Sequence, residues 1–355
     1  MAWYDQSVGN QEICALQVAV IKGKAGVFTS LFHYHRMFES MGIRTACLYR
    51  GPATARLEEA GVGLLPAPTS LTTPFFRILP SFSETRVLVS DAFDGRTPDL
   101  VMVHSDLALE NIRTLFPKTT IFTRCHTDKT KRKRRADVVV TLNLDQHERV
   151  SAELSSYQPI VRMLGHPFCG RNEAIAMPKG PLRLNFCARF VPDKDPLTLV
   201  RALALIAPEK RPVVRFIGDG PMAQEIKDTS ERLEVSASFV PWQDNPFQNF
   251  TTGDVLVLPS RWEGLPWLLL EAQKLGVPSL VSDIPGNRLA VNDGETGVLF
   301  PVGDSAALAS RIIEMIETPS DLYARAKQGA SCFDSRFGPA AFWDGLKAAA
   351  KEFYA

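Results

Sequence analysis

Short apolar runs, too brief for helices, recur along this chain, and each is followed by a stretch that a helix accommodates. Residues 13–21, 43–49, 99–104, 119–126 and 136–142 in the first half, and 182–188, 213–217, 238–240 and 254–258 in the second, read as buried strands. Helices are expected between them over 28–41, 53–60, 143–154, 196–205, 222–233 and 267–275. Strands apolar on both faces and separated by helices specify a parallel sheet wound in both directions. A chain of 355 residues exceeds the usual domain of about 100–200 residues. Two Rossmann-like α/β domains are therefore expected, residues 1–164 and 165–336. Their junction falls in the stretch 165–181, which is rich in Gly, Pro and charge.

Composition narrows the chemistry. Forty basic residues nearly cancel 39 acidic ones, so no global field draws the chain to nucleic acid, and any anionic partner must be held by a local patch. The six cysteines are scattered, with no C-x-x-C pair and no histidine at metal spacing, which predicts reduced thiols and no metal site. Asp193-Lys-Asp195 is bracketed by Pro192 and Pro196 with no further oxygen ligand nearby, so it too is read as something other than a metal site. The first dozen residues carry no apolar leader, and nowhere do about 18 apolar residues run together. The expectation is a cytoplasmic protein, at most peripheral at the inner face of a membrane.

The densest chemistry lies in Leu258-Pro-Ser-Arg-Trp-Glu263-Gly-Leu-Pro-Trp-Leu-Leu-Leu-Glu271. Pro259 and Ser260 stop a buried strand, and Pro266 suits the start of a helix, so Glu263 belongs to a loop and Glu271 to the helix that follows. Free amides near Gly264 and Leu265 would suit a phosphate. The bland alternative is that Glu271 favours the positive end of the helix dipole and Glu263 is solvated. Arg189 and Lys194 follow another strand end and together suit a diphosphate, a guanidinium fork beside an ammonium point charge. Gly218-Asp-Gly220 marks a third loop at a strand end.

In the first half, Gly23 and Gly26 lie in a small-residue loop between strand and helix, but their spacing is not G-x-G-x-x-G. His104 and His126 each end a strand at the same sheet edge, where they serve either as hydrogen-bonded structural groups or as holders of a substrate hydroxyl. The basic run 129–135, containing Lys131 and Arg132, is either a solvated helix face or a site for an anionic acceptor or phospholipid.

Taken in order, Ala188-Arg189-Phe-Val-Pro-Asp-Lys194, Ile217-Gly-Asp-Gly-Pro221, the stretch from Asp254 through Glu271-Ala272, Gly276-Val-Pro278 and Asp293-Gly-Glu-Thr-Gly297 resemble the retaining glycosyltransferases of family 4. The resemblance implies the GT-B fold, two doubly wound parallel-sheet domains facing a central cleft, with the last helix, within 337–355, packing back on the first domain. It implies that Arg189 and Lys194 hold a donor diphosphate, that Glu271 binds the ribose and that Glu263 faces the donor sugar. Gly264 and Leu265 would offer amides, and backbone near Val240 would meet the base. Gly26 falls at the family's glycine loop and counts among the donor-binding residues, and His126 matches its histidine near the reacting sugar and acceptor, catalytic together with Arg189, Lys194 and Glu263; His104, Lys131 and Arg132 are acceptor-side candidates. The chain departs from the family pattern at Ala25-Gly26, at Pro241 and at Pro285-Gly-Asn-Arg288.

The implied activity is transfer of a hexose from a nucleotide diphosphate sugar to a glycan or glycolipid acceptor, as in lipopolysaccharide or another cell-surface polysaccharide. Configuration would be retained without metal or cofactor. Two other readings stay open: a sugar-nucleotide epimerase of the same fold, which would convert donor without acceptor, and a degenerate transferase acting as a binding protein through its basic run.

Overall fold

The fold is known from a computed structural model, which describes all residues except 1–2, 6–11, 22–25, 53–56, 58, 75, 77–78, 128, 171–180, 244 and 252. Most of the first glycine loop, much of the expected 53–60 helix and the centre of the expected 165–181 junction therefore lie outside the described residues.

The chain divides into two compact units, residues 1–169 with 334–355, and residues 170–333. The first unit holds β1 (Cys14–Val20), β2 (Arg44–Arg50), β3 (Leu64–Pro66), β4 (Leu100–Val103), β5 (Thr120–Arg124), β6 (Val138–Thr141) and β7 (Ile160–Met163). Among the described residues these form one seven-stranded sheet in the order β3-β2-β1-β4-β5-β6-β7. Every pairing is parallel, with Ala15 opposite Leu100 where the order reverses.

The alternation of side chains along a strand divides the buried apolar residues between two faces. Leu16, Val18, Val101, Val103, Ile121 and Val139 pack on one side with residues of the helices Pro80–Ala92, Leu109–Leu115 and Leu144–Leu154. Ala15, Leu100, Met102, Phe122, Val138 and Val140 pack on the other. Tyr34, Met37 and Phe38 of the helix Gly26–Ser40 cover that second side together with Phe342, Trp343 and Leu346 of the last helix, Pro339–Tyr354. The C-terminal helix thus belongs to the core of the first unit, as the resemblance implied.

The second unit repeats the scheme with β8 (Arg183–Cys187), β9 (Val213–Ile217), β10 (Ala237–Val240), β11 (Asp254–Leu258), β12 (Ser279–Ser282) and β13 (Val298–Phe300). Their order is β10-β9-β8-β11-β12-β13, again parallel throughout. One face buries Leu184, Phe186, Phe216, Val255, Val257, Leu280 and Phe300 against the helices Pro196–Ala204, Ala223–Arg232 and Ser305–Glu317. Asp254 opens β11 fully enclosed, its carboxylate accepting from Arg183 and Arg215 at 2.8 Å each and from Asn185 at 2.9 Å. This network fastens β8, β9 and β11 at the end of the sheet where those strands begin. No helix among the described residues is long and apolar enough to cross a membrane.

Candidate active site

Both sheets reverse direction between their first and fourth strands, and in open α/β sheets ligands bind outside the carboxyl ends of the strands at such a point. In the second unit the reversal lies between β8 and β11. The segments leaving those two strands carry Arg189 and Lys194 on one side and Glu263, Gly264 and Leu265 on the other.

The two segments are bonded to each other. Lys194 Nζ donates to Glu263 Oε1, which also accepts from Ser260 Oγ at 2.8 Å. Arg261 N donates to Asp193 O at 2.8 Å, and the Arg261 guanidinium pairs with the Asp195 carboxylate at 2.8 Å. Asp195 adopts a left-handed conformation with φ of 45° at the start of the helix Pro196–Ala204, where it also accepts from Thr198 Oγ1 at 2.9 Å. Arg189, by contrast, is exposed and makes no ion pair among the described residues.

Three glycines set the walls of this site. Gly218 and Gly220 hold φ of 145° and 153°, and a Cβ on them would meet Ala188 O at 2.0 Å and Phe190 O at 2.5 Å. The loop after β9 therefore lies directly against the Arg189 segment, joined by Phe190 N donating to Asp219 O at 2.8 Å. Beneath the other segment, a Cβ on Gly286 would meet Glu263 O at 2.4 Å and Gly264 O at 2.6 Å. Ser282 Oγ donates to Ser260 O at 2.5 Å, and Asn287 Nδ2 donates to Ser282 O at 2.9 Å. Ser260, Ser282, Gly286 and Asn287 support the Glu263 loop, a role the sequence did not reveal: Ser260 was legible there only as a strand stop and Ser282 not at all. Gly286 and Asn287 stood out there only as part of a departure from the family pattern. The function of Gly286 is visible only once the backbone it touches is known.

The helix Trp267–Leu275 begins after Pro266, which caps it rather than opening its first turn. Its first turn holds no acidic residue, so Glu271, half-buried in the second turn, is not placed for the dipole interaction at a helix start. Leu265 is buried and Gly264 half-buried immediately before the helix. Val240 ends β10, its carbonyl accepting from Gly218 N at 3.0 Å.

In the first unit, Gly26 is the first residue of its helix, with residues 22–25 outside the described set. His104 and His126 follow the adjacent strands β4 and β5, with ring centroids 5.8 Å apart. His104 is buried, with Nε2 3.2 Å from Gln17 Oε1 and its ring edge-on to Tyr34. His104 Nδ1 and His126 Nε2 are buried nitrogens without a hydrogen-bond partner among the described residues. Burial, reinforced by Arg124 and Lys133, pushes the His126 imidazolium down to about 3, and burial with His126 and Arg124 lowers His104 well below the ordinary value. Both rings are neutral at physiological pH. Arg124 is fully buried two residues before His126, donating to Tyr34 Oη and Gly165 O at 2.8 Å each and contacting His166 Nδ1 at 2.6 Å.

The basic run is not a helix face. It forms turns ending in the short 3-10 segment Lys133–Arg135, and Lys133 is fully buried, bonded to Asp106 Oδ2 at 2.7 Å and Thr127 O at 2.9 Å. Lys131 and Arg132 remain exposed. The pattern of charge alone does not reveal Lys133's burial, because Asp106, its partner, is 27 residues away.

Comparison with known proteins bears on the family and the fold. Residues 172–331 match the family described as glycosyl transferases group 1. The chain is 32% identical over 195 residues to the D-inositol 3-phosphate glycosyltransferase of Streptomyces scabiei, covering 51% of this chain and 42% of that protein. It is 26% identical over 153 residues to the UDP-Gal:alpha-D-GlcNAc-diphosphoundecaprenol alpha-1,3-galactosyltransferase of Escherichia coli, covering 41% and 40%. The matched stretch thus spans about two fifths of each of these curated relatives. In fold, the chain resembles Anabaena HepE in complex with UDP and glucose, with a TM-score of 0.74 at 14% identity over 95% of this chain and 99% of that one. With two doubly wound parallel sheets the chain has the GT-B fold, and its second unit resembles the glycosyl transferases group 1 over residues 172–331, somewhat less than half of the chain.

Proposed function

We propose that this chain is a retaining glycosyltransferase that moves a hexose from a nucleotide diphosphate sugar to a glycan or glycolipid acceptor at the cytoplasmic face of a membrane. The observation that carries the reading is the Lys194–Glu263 contact at the reversal of the second sheet, with Arg189 exposed beside it. A diphosphate there meets two cations and the amides around Gly264 and Leu265, just before the start of a helix. Glu271 takes the ribose hydroxyls, Glu263 the donor sugar and the backbone at Val240 the base. In the first unit Gly26, His126 and His104 serve the reacting sugar and the acceptor, with Lys131 and Arg132 on the acceptor side. The bond from the anomeric carbon to the phosphate oxygen breaks while the acceptor oxygen bonds to the same face, and the leaving phosphate takes the acceptor proton. Arg189 and Lys194 stabilise the charge that develops, so the reading invokes no metal and no cofactor.

The names of the relatives support this class of donor and acceptor: HepE is described with UDP and glucose, and the E. coli enzyme is named for UDP-Gal and a diphosphoundecaprenol acceptor. The test begins with a thermal-shift screen of nucleoside diphosphates and their sugars, since a ligand bound only by the native state raises its stability. The donor found is then supplied with and without candidate acceptors. Transfer that is nearly abolished by Glu271→Gln supports the reading. Full activity of that variant, or conversion of the donor to an epimer without acceptor, overturns it.

A further inference from the structure

We propose that a cleft at the amino ends of β4 and β5 binds a small soluble phosphate monoester with an apolar body. The cleft measures about 540 Å³, within the range of about 300–1,000 Å³ usual for ligand pockets. It lies wholly in the first unit, between the helix Pro80–Ala92 and the turn that follows the helix Leu109–Leu115. Pro98 and Thr119 line it just before β4 and β5, whereas His104 and His126 follow the same two parallel strands. The cleft is therefore at the opposite edge of the sheet from the candidate active site, and no residue of that site lines it.

Its lining carries three cations, Arg86, Arg96 and Lys118, and no acid. Arg86 and Lys118 are exposed and make no ion pair among the described residues. Arg96 is shared with Asp99 at 3.4 Å and Glu12 at 3.7 Å and stays partly exposed. Asp94, in the turn beside Gly95, is bound to Arg44, and Asp91 is exposed on the helix outside the lining. Nor are the cations engaged by the two helix ends that meet here. Ser90 O accepts from Phe93 N at 3.0 Å and Gly95 N at 2.9 Å, and Phe116 O accepts from Thr119 N at 3.4 Å. Arg113, which does not line the cleft, donates to Pro117 O at 3.5 Å and Thr119 O at 3.3 Å. A concave wall of one sign focuses its field, so an anion in the cleft meets more potential than one exposed cation would give it.

The same lining has an apolar part. Val89, Leu115 and Phe116 are buried beneath the cations. Arg86, Val89 and Ser90 share one face of their helix, which sets a cation, an apolar side chain and a hydroxyl side by side. Gly95, with φ of 83°, has no atom within 4 Å of where a Cβ would stand, so that side of the cleft is open to a ligand. Two unpaired cations match the dianion of a phosphate monoester better than the single charge of a carboxylate, and the guanidinium of Arg86 and the ammonium of Lys118 are both phosphate-binding groups. The ester's apolar body then covers Val89, Leu115 and Phe116.

The test is calorimetric titration of the full chain with phenyl phosphate, inorganic phosphate and the uncharged phenyl glucoside. Phenyl phosphate is expected to bind about tenfold more tightly than inorganic phosphate, and phenyl glucoside not measurably. Arg86→Glu/Lys118→Glu should weaken phenyl phosphate about tenfold or more, and salt at about 0.5 M should weaken it about threefold or more. Arg189→Ala should leave it unchanged, and vesicles containing phosphatidylglycerol should not displace it. No binding, equal affinity for inorganic phosphate or phenyl glucoside, or equal binding by the double variant overturns the proposal. So does loss of binding in Arg189→Ala, which would place the phosphate at the candidate active site, or displacement by the vesicles, which would assign the cations to lipid headgroups. Circular dichroism checks that the double variant is folded, and if it is not, Arg86→Gln/Lys118→Gln takes its place with the same expected loss. No donor or acceptor enters the measurement, so the site stands or falls apart from the proposed transferase activity.

Discussion

Lys194 and Glu263 stand 69 residues apart in sequence and form an ion pair beside the strands β8 and β11, where the second sheet reverses. Ser260 Oγ holds the same carboxylate oxygen, so Glu263 is oriented before any ligand arrives. On the proposed function, an incoming diphosphate would share the ammonium with that carboxylate, which would repel it. Replacing Glu263 by Gln should therefore tighten binding of a nucleoside diphosphate by about fivefold, about 1 kcal/mol for a nearby like charge, while turnover falls by about a hundredfold or more. Lys194→Met should weaken the same binding by about tenfold. Titration calorimetry with the diphosphate identified by thermal shift decides it, and weaker binding by Glu263→Gln would contradict the repulsion.

Gly286→Ala tests the support beneath this loop. Its new Cβ would lie 2.4 Å from Glu263 O and 2.6 Å from Gly264 O, both backbone atoms that cannot rotate away. The loop must shift, at a cost of about 1–3 kcal/mol typical of overpacking. We expect a lowered melting temperature together with a loss of donor affinity, read by thermal unfolding with and without nucleotide. Unchanged affinity would show that the loop's position does not matter to the donor.

The strands were legible because each is a continuous apolar run stopped by Gly, Pro or a polar residue, as with Asp254–Leu258 before Pro259. The helix Pro80–Ala92 and strand β7 were not, and neither were the short strands β12 and β13 or the helix Leu109–Leu115. Pro80–Ala92 has a weak apolar stripe, with Thr85 and Val89 its buried residues, and β7 is at most half-buried along Ile160–Met163. At the site, motif spacing exposed Arg189, Lys194, Glu263 and Glu271. It left Gly286, Ser282 and Arg124 unread, because their importance lies in contacts with distant backbone or side chains that no local pattern records.

The neutral histidines make the fold acid-sensitive. His104 and His126 both titrate below their unfolded value near 6.5, His126 at about 3, so as pH falls below that unfolded value the unfolded chain binds more protons than the folded one. Stability contributed by each ring is present above about pH 6.5 and is lost as pH falls from there, by at most about 1.4 kcal/mol per unit and per histidine. A His126→Gln variant should lose less stability between pH 6.5 and 5 than the wild type, as measured by denaturant unfolding at each pH. Parallel profiles for the two proteins would show that His126 is protonated equally in both states.

Arg189 offers the sharpest separation of function from stability. It is exposed and pairs with nothing among the described residues, so Arg189→Ala should change the unfolding free energy by no more than about 0.5 kcal/mol. If the guanidinium meets a diphosphate as a fork, kcat should nevertheless fall by about a hundredfold or more, because the charge that develops on the leaving group loses its partner. Arg189→Lys then becomes informative, since an ammonium restores the charge without the two parallel donors. Partial recovery, with kcat between those of Arg189→Ala and the wild type, is expected. Full recovery would reduce Arg189 to a point charge, and full activity of Arg189→Ala would remove it from the site.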